Sequence, residues 1–148
     1  GKGVTMSFFD KVKASVGKDS AELEVDMQQR PSKRGESLRA LVHVRPGKNK
    51  QKMRYLRISL EYTGHFQVPS KDGGVINVEG TGRIWYGDWP NTTDVMIEPG
   101  GTYSYPIEFR IPSDSPLSHD KLKYKFFVRA DIDDAKDPEF ATNFDIRE

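Results

Sequence analysis

From Ala21 onward, apolar and polar residues alternate with period two, the signature of strands with one buried face. In "AELEVDMQQ", Ala21, Leu23, Val25 and Met27 stand against Glu22, Glu24, Asp26 and Gln28. "ESLRALVHV" sets Leu38, Ala40, Val42 and Val44 on one side, and "RYLRISLEYTG" sets Leu56, Ile58, Leu60 and Tyr62 against Arg57, Ser59 and Glu61. "TYSYPIEFRIP" carries Tyr103, Tyr105, Ile107, Phe109 and Ile111; "KYKFFVRADI" carries Tyr124, Phe126, Val128, Ala130 and Ile132. Shorter candidates are "VINVEG", "GRIWYG", "DVMI" and "NFDI". Turn signals separate them: "RPSKRGE", "RPGKNK", "SKDGG", "GDWPN", "EPGG" and "PSDSP". Eight or nine half-buried strands punctuated in this way predict an all-β, antiparallel β-sandwich or barrel. Pro106 lacks a ladder donor, so its strand belongs at a sheet edge or carries a bulge.

One segment follows a different period. "SFFDKVKASVG" places Phe8, Phe9, Val12 and Val16 on one helical face, with Ser7 as N-cap, Asp10 near the positive helix end and Gly17 as the stop. This predicts a short amphipathic helix over about 7–16, with strands from about 21. A helix of that length is marginal alone, so its apolar face must dock. It either caps the sandwich or meets a second domain, a second copy or a membrane surface.

A chain of 148 residues suits one domain with a real core. Gly1–Thr5 read as an expression remnant ahead of an initiating Met6, which assigns the fold to 6–148. No stretch approaches the roughly 18 apolar residues of a membrane span, and the start lacks the apolar region of a secretory signal. The absence of cysteine removes disulfides, thiol nucleophiles and Cys-bound zinc, and it is compatible with a cytoplasmic location.

Net charge is +1, yet residues 1–54 carry 13 Lys/Arg against 6 Asp/Glu, and residues 55–148 carry 10 against 16. The basic clusters "RPSKR" (30–34) and "RPGKNKQKMR" (45–54) flank one strand, and so form two separate tips. Nucleic acid is disfavoured as a partner, because neither a recognition helix nor a stacking platform accompanies the charge.

The acidic stretch "VRADIDDAKDPEF" holds Asp131, Asp133, Asp134, Asp137 and Glu139. Ala135 and Lys136 occupy positions that an EF-hand loop gives to a ligand and a glycine, and a strand precedes it, which excludes that motif. A C2-like calcium site would use Asp131, Asp133, Asp134 and Asp137 with a second acidic loop. Asp88, Asp114 and Asp120 form no such cluster, so the expectation is a solvated turn and no metal. Paired carboxylates as acid and base need a pocket that separates their pKa values. His43, His65 and His119 show no ligand spacing, and neither a G-x-S-x-G elbow nor a phosphate-binding glycine loop occurs. No catalytic residue or cofactor is assigned. Trp85, Tyr86 and Trp89 in "RIWYGDWPN" suit either the core or recognition of a sugar or protein.

Four stretches in order resemble the arrestin-like β-sandwich and, within it, the bacterial sporulation-control family. They are "MSFFDKVKASVG", "RGESLRALVHV", "IEPGGTYSYPIEFRIPSDSPLS" and "KYKFFVRADIDDAKDPEF". The resemblance implies an arrestin-like, immunoglobulin-like fold and a non-catalytic adaptor or scaffold role in bacterial regulation. It also implies a structural role for Asp131, Asp133 and Asp137-Pro138, with Asp131 paired to an arginine across the sheet. Members usually carry two such sandwiches in tandem, so this sequence is expected to be either a piece of such a member or a single-domain one, and in the latter case homodimerisation is a further expectation. The candidate interaction residues are Phe8, Phe9, Val12, Val16, Trp85 and Trp89. The competing reading is a ligand-binding sandwich, either C2-like for calcium or anionic lipid, or a carbohydrate module.

Overall fold

The alternating segments form strands in the computed structural model, which describes residues 11–15 and 20–148, with the backbone alone at 11–15, Phe66 and Val68. The strands are β1 (Lys11–Ser15), β2 (Glu22–Gln29), β3 (Ser37–Arg45), β4 (Gln51–Pro69), β5 (Val75–Asp88), β6 (Val95–Ile97), β7 (Tyr103–Arg110), β8 (Leu122–Ile132) and β9 (Glu139–Phe144). They make two antiparallel sheets, one ordered β1-β2-β3-β7 and the other β5-β4-β8-β9, with β6 also paired to β4.

The predicted apolar faces meet between the sheets. Leu23, Val25, Leu38, Val42, Leu56, Ile58, Leu60, Tyr124, Phe126 and Val128 have essentially no exposure. Each such large apolar side chain contributes about 1.5–3 kcal/mol through burial. Pro106 lies opposite Leu41 on β7, an edge strand, where a missing donor is tolerated.

The predicted helix over 7–16 does not hold where the structure describes it. Lys11–Ser15 pairs with β2, Val12 opposite Val25 and Ala14 opposite Leu23. Lys-Val-Lys-Ala-Ser also alternates with period two, and pairing with an open sheet edge outweighs a marginal isolated helix. Phe8, Phe9 and Val16 lie outside the described residues.

Two elements are longer than predicted. "VINVEG" and "GRIWYG" merge into β5, and β4 runs on to Pro69. Gly64 and Gly82, which lie in the predicted strands "RYLRISLEYTG" and "GRIWYG", are sites of close approach. A β-carbon on Gly64 would strike the Lys121 carbonyl and Leu122, and one on Gly82 would strike the Tyr62 ring. Beyond Gly64, which faces Leu122, β4 pairs with β5 alone, apart from one hydrogen bond from His65 N to the Lys121 carbonyl. The outcome is a two-stranded ribbon closed at Ser70–Gly74, where Gly73 takes a left-handed φ of 85°.

Candidate functional site

The acidic stretch is a built turn. Ile132 N donates to Asp137 Oδ1 (3.0 Å), Ala130 N to the Pro138 carbonyl, and Asp133 N to the Lys52 carbonyl. The Asp133 carboxylate faces Arg54 at 3.7 Å, and Asp134 occupies the left-handed region at φ 59°. Among the described residues, no three His, Asp or Glu side chains are grouped to hold a metal ion. Asp131 stands opposite Tyr55 rather than an arginine. The arginine of that neighbourhood is Arg129 on the same strand, whose Nη2 donates to Tyr55 Oη at 3.3 Å.

Trp85 and Trp89 pack at the seam where β5 approaches β7. Their ring centroids are 5.3 Å apart, and each lies 5.6 Å from Phe109 on the other sheet. Both rings are half-buried, and Trp89 also borders an open cleft lined by Arg39, Pro106 and Ile107. Trp85 and Trp89 therefore close one side of the core.

The histidines are scattered. His43 Nδ1 meets Ser104 Oγ at 2.7 Å, His65 Nε2 lies 3.4 Å from Glu79, and His119 Nδ1 accepts from Lys121 N. His65 and His119 both border a cleft of about 480 Å³ between the ribbon and the β7–β8 loop, together with Gln67, Asn77 and Leu117. The two basic clusters lie at opposite ends of β3. In the first, Glu36 accepts from Ser32 N and Lys33 N, and the Ser32 backbone bond leads in holding its carboxyl below the usual range.

Two surfaces that sequence reading did not single out are the more distinctive. The ribbon exposes Val75 (64%), Ile76 (50%) and Val78 (38%), apolar positions that a half-buried strand would turn inward. The signal was present in "GGVINVEG", whose apolar residues have no second sheet to face once the strand passes β8.

The other surface is the outer face of the β5-β4-β8-β9 sheet. From Tyr55, past the irregularity after Met53, to Thr63 the odd-numbered residues of β4 point there, so Arg57 falls between Asp88 on β5 and Arg129 on β8, with Glu139 next on β9. Arg57 Nε donates to Asp88 Oδ1 (2.7 Å) and Nη1 to Tyr86 Oη (2.9 Å). Its guanidinium stacks 4.8 Å from the Tyr55 ring and 5.2 Å from that of Tyr86, while Arg83 lies 4.2 Å from Tyr86. The hydrogen bond to Asp88 leads in raising the Arg57 pKa, and the bond to Tyr55 does so for Arg129. Both groups therefore remain cations. Period-two reading placed Arg57 on the solvent side. The cross-strand register that brings it to Arg129 is a tertiary fact with no local signal.

The described chain is an all-β sandwich of two antiparallel sheets from which a two-stranded ribbon projects. The family described as SpoOM protein matches residues 9–147, and the chain belongs to that family. It is 28% identical over 127 residues to the sporulation-control protein Spo0M of Bacillus subtilis (strain 168), covering 86% of this chain and 46% of that protein. The crystal structure of Spo0M, sporulation control protein, from Bacillus subtilis matches with a TM-score of 0.58 at 21% identity, covering 87% of this chain and 50% of that one. This structural likeness shows the fold, and the chain spans about half the length of the relatives it matches. Among the described residues, no helix is long and apolar enough to cross a membrane.

Proposed function

We propose that the chain is a non-catalytic, cytoplasmic protein-recognition module, an adaptor or scaffold in bacterial sporulation control. Family membership and the sporulation-control relative support the regulatory setting. The observation that carries the recognition role is the ribbon, which presents Val75, Ile76 and Val78 to solvent beyond the end of β8. An isolated two-stranded ribbon is marginally stable in water. Exposed apolar side chains on such an element gain most from a partner that covers them.

The test is a chimera in which this chain replaces the matching half of the Bacillus subtilis protein in a strain lacking that protein. Sporulation frequency restored to near the parental level is the expected result. A correctly folded chimera that leaves sporulation at the level of the deletion strain would overturn the role.

A further inference from the structure

We propose that the outer face of the five-stranded sheet binds a segment of a protein partner that carries a single carboxylate between neutral residues, seating it between Arg57 and Arg129. This deepens the recognition reading above, on which it rests, by naming the chemistry of the partner.

Arg57 and Arg129 are direct cross-strand neighbours. Like charges placed opposite each other on a sheet repel, and neither guanidinium can shed its proton. Arg57 is compensated by Asp88 at 2.7 Å. Arg129 has no equivalent. Its one hydrogen bond among the described residues is to Tyr55 Oη, and its Nε is buried without an acceptor. Glu139 stands opposite it on β9 and Asp137 lies in the adjoining turn. Both act on it through space, and neither lies within ion-pair distance. A buried donor left without an acceptor is costly. A carboxylate arriving from outside would answer the repulsion through the outer part of the guanidinium fork, which matches carboxylate geometry, and would leave the buried Nε as it is.

The surroundings select among anions. Glu61, Asp88, Asp131 and Glu139 share this face with Arg57, Arg129, Arg83, Lys123 and Lys125, so its charge is close to balanced. A face whose charges are nearly balanced offers no extended positive field to a polyanion such as a nucleic-acid backbone or an anionic bilayer. It admits an isolated carboxylate flanked by neutral residues, and such a segment is a peptide. Tyr55, Tyr86 and Phe127 supply aromatic surface for those flanking residues. Tyr86 is 49% exposed, and the Phe127 ring lies 5.5 Å from the Lys125 ammonium. Tyrosine and arginine together are the composition of protein-interface hot spots.

The experiment follows the arginine Nε–H resonances of the ¹⁵N-labelled chain by NMR. Three probes are titrated: acetylated Tyr-Glu-Tyr amide, its Tyr-Gln-Tyr counterpart and inorganic phosphate. The glutamate peptide is expected to shift the Arg57 and Arg129 signals saturably. Arg129→Gln, checked for an unchanged amide spectrum, should weaken binding about tenfold, the loss of one charge-assisted hydrogen bond, and Arg129→Lys should fall between. No shift, equal shifts from both peptides, or a response to phosphate alone would each overturn the site. Peptide binding alongside a chimera that fails to sporulate would overturn the regulatory role and leave this site standing. Restored sporulation without peptide binding would overturn this site alone.

Discussion

The Thr92 hydroxyl accepts the Leu56 amide hydrogen at 3.1 Å and donates to the Trp89 carbonyl at 2.6 Å. Thr92 is wholly buried, and Trp89 N in turn donates to the Leu56 carbonyl. The loop after β5 thereby continues the ladder along β4 until β6 takes over. Thr92→Val keeps the shape but strands the Leu56 amide, so it should destabilise by about 1–3 kcal/mol. Thr93→Val, at an exposed neighbour, should change stability by less than about 0.5 kcal/mol. Urea denaturation of the two variants checks this, and equal midpoints would count against it.

Gly64 sits where the Lys121 and Leu122 backbone crosses β4. Gly64→Ala forces that backbone to move and should lower stability by about 1–3 kcal/mol, the usual range for overpacking. The loss should localise at the root of the ribbon, seen as faster amide exchange at His65, which donates to the Lys121 carbonyl. Exchange unchanged at His65 would mean that the crossing is looser than described.

Burial pushes the Tyr124 phenol from 10.0 up to about 12, and its hydroxyl donates to the Pro116 carbonyl. Burial moves Tyr105 in the same direction. A phenol pKa that is higher in the folded than in the unfolded chain lets the folded state hold a proton that the unfolded state has lost. The Tyr124 contribution is therefore intact below pH 10 and is lost as pH rises through about 12, by an amount on the order of 2 kcal/mol. Alkaline denaturation monitored by near-ultraviolet absorbance checks this. Tyr124→Phe should flatten the dependence and lower stability at neutral pH by about 1 kcal/mol, for the hydrogen bond lost.

Asp137 closes the acidic turn through the Ile132 amide. Asp137→Ala should cost about 1–2 kcal/mol, whereas Asp134→Ala at the exposed position φ 59° should cost less through contacts than through backbone strain. Calcium should leave the melting temperature of the chain unchanged, because a ligand that binds the folded state raises it. A calcium-dependent rise would restore the C2-like reading of Asp131, Asp133, Asp134 and Asp137.

Where burial is periodic, the sequence is a good guide. Leu38, Ala40, Val42 and Val44 alternate because one face of β3 packs against the other sheet, and that pattern is local. Pro106 announced an edge for the same reason, since its missing donor is a property of the residue. Lys11–Ser15 is a strand and not a helix because five residues satisfy both periods, and the choice falls to an available sheet edge. Gly64 and Gly82 fall inside predicted strands, but the close approach that calls for glycine there depends on Lys121 and Tyr62, which are distant in sequence or on a neighbouring strand. The pairing of Arg57 with Arg129 depends on the register between two strands, which no local pattern encodes.

Recognition through the ribbon of β4 and β5 is tested by sporulation frequency in the chimera strain with Ile76→Asn and Val78→Asn together. Both side chains are exposed, so the thermal stability of the purified variant should match that of the parent within about 0.5 kcal/mol. Sporulation is expected to fall toward that of the deletion strain at normal protein level. Sporulation equal to that of the unmodified chimera would contradict it.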